Sequence, residues 1–218
     1  MSTYDDIRVS PEVVLCSFVA PPPPLCLSVR ENAFVSSDYY RPDEQRLRWQ
    51  VDRIDDNGNI AIWVSGQPRV LAASMSDGSL SLREKSEQGT LSYATDEIWN
   101  VVVPDLSASA RHGLEASIGA TILIPFLFGG TQEPDVQAGP VAVRPNFDYD
   151  RNLNVLGNGP YGPGDTVAAW DGWGGGDSNE VWFFSTPDAL AQIGAPAGAS
   201  NATSLGSEEP CSGQMLGT

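Results

Sequence analysis

The sequence predicts an all-β fold, and three observations carry that expectation. Short runs rich in β-branched and aromatic residues recur along the chain, many of them separated by Gly, Pro, Asn or Asp turn signals. The 22 glycines and 17 prolines among 218 residues favour many turns over long helices. A tryptophan motif also repeats: residues 96–105 and 179–188 share a polar residue, Glu, a β-branched residue, Trp, four further residues and Pro-Asp at identical spacing.

Taken in order, the expected strands fall into three sets. Residues 12–19, 25–30, 33–40 and 47–53 form the first, and 60–64, 69–73, 80–83 and 98–103 the second. The third includes 140–144, 153–156, 166–170 and 181–185. Only 106–118 carries a helical pattern, and it is weak. Asn57-Gly58 between two runs is a strong hairpin signal.

Each set closes on a tryptophan: Trp49 in a degenerate copy of the motif, then Trp99 and Trp182. Three blocks of four strands is the count of a β-trefoil, with repeats at about 1–53, 54–105 and 106–188. Since 83 positions separate Trp99 from Trp182, the third repeat is expected to carry an insertion, within about 106–140. The physical reading is a shared core, because one unit of four short strands cannot bury its own apolar face and three together can. Each buried indole would contribute about 2–3 kcal/mol from apolar area.

From residue 189 onward the chain is mostly Ala, Gly, Ser, Pro, Thr and Asn, too sparse in apolar side chains to repay ordering. The domain is therefore expected over 1–188, with 189–218 a disordered tail. The tail contains a sequon, Asn201-Ala202-Thr203, expected to be unused.

Charge and hydropathy exclude several functions. Hydrophobic residues at 41% rule out wholesale disorder. With 28 acidic and 12 basic residues the net charge is −16, and Lys85 is the sole lysine. Such a surface repels phosphate backbones and anionic lipid heads, so no nucleic-acid partner is expected. No apolar run approaches a spanning length, the longest being the strand-sized 121–128, so no membrane insertion is expected. The first residues are acidic and lack a basic start followed by an apolar run, so no signal peptide is expected. The expected location is cytoplasmic, or outside the cell by a non-classical route.

Cys16 and Cys26 flank the prolines 21–24 and could pair across a hairpin or stand as two buried thiols; Cys211 lies in the polar tail. Metal spacing is lacking. The acidic stretch at Asp52, Asp55, Asp56, Asn57 and Asn59 superficially resembles a calcium loop, but the glutamate such a loop needs is missing and a strand begins too soon. Asp148 and Asp150 are spaced for weak calcium binding at most. No metal and no cofactor is expected.

The stretch from Gly164 to Phe184 resembles a repeat of the ricin B-type lectin family. Such a repeat commonly ends in a strand, an aromatic and Gly-rich turn, then Asn-Gln-x-Trp. Asn179-Glu180-Val181-Trp182 takes that last place, and Leu153-Asn154-Val155 resembles the family's apolar-Asp-Val strand. The match is good over 141–184, fair over 54–105 and poor over 1–53. The chain departs from the pattern in having Glu97 and Glu180 where the family has Gln. The resemblance implies a β-trefoil and non-catalytic sugar binding. It implies that Asn154 stands where the family has its sugar-binding Asp, that Trp170 or Trp173 is the stacking aromatic, and that Asn179 is the amide near the closing motif. In the second repeat the Asp position falls near Ala72, and no site of this kind is expected there.

The residues support that site on chemical grounds. An indole face stacks on the apolar face of a pyranose while amides and carboxylates hold its hydroxyls. Asn154, Asp165, Asp171, Trp173, Asp177 and Asn179 could converge in the proposed fold, against the plainer reading that the Trp-rich turn is packing. The candidate carbohydrate-binding residues are therefore Asn154, Asp165, Trp170, Trp173 and Asn179. The partner would be a glycan or glycoprotein, and a homo-oligomer is open. Catalysis has little to stand on: His112 is the sole histidine, and no Gly-x-Ser-x-Gly elbow is present. Two rival functions remain: a protease inhibitor acting through extended loops at 20–24, 129–140 and 158–164, as fungal mycocypins of this fold do, and a structural or assembly protein of a virion or surface layer.

Overall fold

A computed structural model describes residues 2–17, 24–30, 34–102, 141–171, 178–188 and 190. The described residues form twelve strands. They are β1 (Val14–Ser17), β2 (Leu25–Val29), β3 (Val35–Tyr39), β4 (Trp49–Arg53), β5 (Asn59–Val64) and β6 (Arg69–Ala73). The rest are β7 (Leu80–Glu84), β8 (Trp99–Val102), β9 (Ala142–Pro145), β10 (Arg151–Val155), β11 (Val167–Asp171) and β12 (Trp182–Ser185). Every expected strand is present within a few residues at its ends. The expected insertion and the helical pattern of 106–118 lie outside the described residues, as does the tail.

The first and fourth strands of each repeat close a barrel. Antiparallel ladders join β1 to β12, β4 to β5, β5 to β8 and β8 to β9. Two isolated bridges complete the ring. Val13 and Trp49 exchange backbone hydrogen bonds of 2.8 Å, joining the segments of β1 and β4, and Val141 and Trp182 exchange bonds of 2.8 and 2.9 Å, joining those of β9 and β12. The remaining strands form three hairpins, β2–β3, β6–β7 and β10–β11. The three hairpins touch one another. A six-stranded barrel capped by three hairpins is the architecture of a β-trefoil.

The core follows the repeat. Trp49, Trp99 and Trp182 are fully buried. Each donates its indole N–H to a backbone carbonyl on the second strand of its own repeat: Trp49 to Leu27 at 3.0 Å, Trp99 to Leu71 at 3.1 Å and Trp182 to Leu153 at 2.7 Å. The ring's apolar area is thus buried without orphaning its polar edge. A short 3₁₀ turn precedes each of these strands, at Gln45–Leu47, Thr95–Glu97 and Ser178–Glu180.

Cys16 and Cys26 are register partners on β1 and β2 and are joined by a disulfide. Of the two readings left open by the sequence, the structure has the bonded one. The acidic stretch around Gly58 is a hairpin turn: the Asp55 carboxylate accepts from the backbone N–H of Asn57 at 2.8 Å and the side-chain amide of Asn59 at 2.8 Å, and Gly58 has φ +83°. Among the described residues no cluster of His, Cys, Asp and Glu is arranged to hold a metal ion. No described helix is long and apolar enough to cross a membrane.

One element has no counterpart in the repeats. Helix α1 (Tyr4–Arg8) is closed by a capping box between Thr3 and Asp6, with the Thr3 N–H donating to the Asp6 carboxylate at 2.8 Å. It buries Tyr4 and Ile7 over Trp63 of β5, forming a second apolar cluster with Val70, Leu91 and Tyr93. Beneath it Trp63 donates to the Tyr93 hydroxyl at 3.2 Å, and Tyr93 donates to Asp52. Burial first, then the Asp52 carboxylate, pushes the Tyr93 phenol well above its ordinary range.

Candidate functional site

The hairpin β10–β11 presents the candidate residues. Its register pairs Leu153 with Ala169 and Asn152 with Trp170. Leu153 and Ala169 face the core, so Trp170 and the asparagines lie on the other face. Trp170 is 52% exposed, which is rare for an indole in a chain that buries its other described tryptophans.

Beside it is a network of amides. Asn179, on the turn before β12, donates to the Asn154 side-chain oxygen at 2.7 Å and to the Val155 carbonyl at 3.2 Å. The Asn154 amide donates to the Glu180 carboxylate at 3.4 Å. Asn152 accepts from the Val143 N–H at 3.0 Å and donates to the Glu180 carbonyl. Asn154 is only 4% exposed, so its polar atoms serve the protein first. Asn179 is half-buried and lies at the edge of the network.

Of the sequence candidates, the structure brings Asn154 and Asn179 together, with Trp170 exposed on the same hairpin. Asp165 is used elsewhere: its carboxylate accepts from the Gly162 N–H at 2.7 Å, and its carbonyl accepts from the Ser37 N–H at 3.1 Å. Trp173 and Asp177 lie outside the described residues. Asp171 pairs across the hairpin with Arg151 at 2.8 Å, and Asp148 lies 3.3 Å from the same guanidinium nitrogen.

The loop at 158–164, one of those expected to project, is tied down on β3. Ser37 donates its hydroxyl to the Gly162 carbonyl at 2.9 Å, and its own carbonyl accepts from the Gly164 N–H at 2.8 Å. The loop at 129–140 and most of that at 20–24 lie outside the described residues.

Comparison of the repeats isolates the third. The core register aligns Trp170 with Asp38 of β3 and Arg83 of β7, and Asn179 with Arg46 and Asp96. In the first repeat Arg46 bonds the buried Asp38 at 2.7 Å, and Arg41 adds a second contact at 3.4 Å. In the second, Arg83 grips Asp96 with a hydrogen bond of 2.8 Å, and Lys85 pairs with the buried Glu97. The same location is therefore spanned by an ion pair twice, with opposite polarity, and by an exposed indole and an amide once. The indole is legible in the sequence and the ion pairs are not, because their partners are brought together only by the strand register.

No protein-family model matches the chain, and no curated protein matches it significantly. Solved structures do share its fold. It is similar to the designed three-fold symmetric protein ThreeFoil, at 15% identity and TM-score 0.51, over 79% of this chain and 96% of that one. The ricin B-like lectin of Macrolepiota procera, solved with lactose, is similar at 12% identity and TM-score 0.50, over 86% of this chain and 99% of the lectin. A mosquitocidal holotoxin is similar at 8% identity and TM-score 0.53, over 81% of this chain but only 17% of the toxin. At these identities the likeness establishes the β-trefoil fold.

Proposed function

We propose that the protein is a non-catalytic carbohydrate-binding β-trefoil whose site is the outer face of the hairpin β10–β11. One observation carries the reading: Trp170 is exposed at the location that the other two repeats close with an ion pair. About half of that indole faces solvent, and its face suits the apolar side of a pyranose. Asn179 would hold a sugar hydroxyl from the edge of the network, with the buried Asn154 fixing the Asn179 side chain. Trp173, three positions beyond Trp170 in the sequence, would be a second stacking surface, and Asp165 a further acceptor. The ricin B-like lectin with lactose among the similar structures supports a sugar as the ligand class.

The test is a glycan array on the wild-type protein and on Trp170→Ala. Saturable binding lost in the variant, with an unchanged melting temperature, is expected. Binding retained by Trp170→Ala would move the site elsewhere. An array without binding, together with inhibition of cysteine or serine proteases, would replace this reading by the inhibitor one.

A further inference from the structure

We infer that each chain carries one glycan site and that the equivalent places in the first and second repeats are closed by the protein's own charges. The inference rests on the reading of Trp170 as a sugar-stacking residue. A trefoil offers three equivalent locations, so valency is a property the residues must decide.

In the first repeat the location is filled from within. Asp38 is buried, accepts from the Tyr39 N–H at 2.8 Å, and is bonded to Arg46 at 2.7 Å. Arg46 also lies 3.3 Å from Glu44. A sugar hydroxyl entering there would have to displace charge-assisted bonds, which are about twice as strong as neutral ones. The position aligned with Asn154 is Ser28, whose hydroxyl is buried without a partner, so no amide is offered.

In the second repeat the polarity is reversed and the result is the same. Arg83 lies on Asp96 and reaches to 3.8 Å from Glu97. Glu97 accepts from the Ala94 N–H at 2.8 Å and from Lys85, the single lysine of the chain. Ala72 stands where Asn154 stands in the third repeat and offers no polar group. The positions aligned with Trp170 are Asp38 and Arg83, so neither supplies a stacking indole. Two unrelated charge patterns closing the same location mark it as one the fold leaves open unless something fills it.

The experiment is a titration of the isotope-labelled full chain with lactose, N-acetyllactosamine and diacetylchitobiose, following the tryptophan indole and arginine side-chain signals by NMR. One saturating set of shifts is expected, centred on Trp170, at one sugar per chain, with the Arg46 and Arg83 signals unmoved. Arg83→Gln is expected to bind within twofold of wild type. A second saturating set at Arg83 or around Asp38, or a tenfold loss in Arg83→Gln, would overturn the single-site inference while leaving the sugar reading standing. Absence of any saturable shift, with a blank array, would remove both.

Discussion

The indole N–H of Trp182 donates to the backbone carbonyl of Leu153 across 2.7 Å of fully buried space. Trp49 and Trp99 make the same bond to Leu27 and Leu71. The bond ties the closing strand of each repeat to its second strand, so the tryptophan both fills the core and fixes the repeat's internal geometry.

Removing that donor has a defined cost. Trp182→Phe would leave the Leu153 carbonyl unsatisfied in the core, for about 1–3 kcal/mol. Trp182→Ala adds the cavity and should cost about 3–5 kcal/mol. Urea unfolding of both variants measures this. A Trp182→Phe variant as stable as wild type would show that the carbonyl finds water or another donor.

Trp170→Ala should behave in the opposite way. Half of that indole faces solvent, and surface substitutions away from special features change stability by about 0.5 kcal/mol or less. Its unfolding midpoint should stay near that of wild type while glycan binding is lost. A loss of stability comparable to that of Trp182→Ala would identify Trp170 as a packing residue.

The disulfide gives a chemical prediction. Of the three cysteines, only Cys211 should react with a thiol reagent under native non-reducing conditions. The bond closes a loop with a sequence separation of 10, for which the chain-entropy account gives about 2–3 kcal/mol. Reductant should therefore lower the unfolding midpoint, and Cys16→Ser with Cys26→Ser should abolish the difference. Three reactive thiols in the native protein would contradict the pairing.

Much of the fold is legible in the amino-acid sequence. The strands stand out because β-branched and aromatic runs end at residues such as Gly58 and Gly66, which adopt positive φ in the turns. Trp99 and Trp182 are legible because one core position demands the same large side chain in each repeat. What stays hidden depends on register. Arg83 and Asp96 are thirteen positions apart and meet only when β7 lies beside the turn before β8. Asn154 reads as a ligand residue in one dimension, yet its side chain is buried and its first partner is Asn179. Helix α1 is too short to show periodicity, and its one signal is Thr3 followed three positions later by Asp6.

The turn between β6 and β7 is sensitive to acid through Asp77. The Ser74 hydroxyl, then the Ser79 N–H and hydroxyl, hold the Asp77 carboxyl down at about 2, from an ordinary 3.8. Because the folded value is the lower one, the charged form stabilises the turn. That contribution is complete above the ordinary value and is lost as pH falls from about 4 to about 2. Amide exchange at Ser79 should quicken over that interval in wild type, and the pH dependence should flatten in Asp77→Asn. An unchanged profile in the variant would assign the acid sensitivity to other carboxylates, such as Asp55, which Asn59 holds low.

The same turn also positions the candidate site. Gly78 has φ +71°, and its carbonyl accepts from the Ala169 N–H at 2.8 Å, one residue before Trp170. A Cβ at position 78 would fall on the Ala169 carbonyl oxygen, and that atom is backbone, so it cannot swing aside. Gly78→Ala should cost about 1–2 kcal/mol from the dihedral alone, and more from the clash. Because the clash pushes on β11 itself, the weakening should reach the proposed sugar site: glycan affinity should fall even at temperatures where the variant is fully folded. Asp77→Asn at neutral pH leaves φ and the Gly78–Ala169 bond intact, so it should bind as wild type does. Folded Gly78→Ala with undiminished affinity would show that the hairpin β10–β11 holds Trp170 without help from the second repeat.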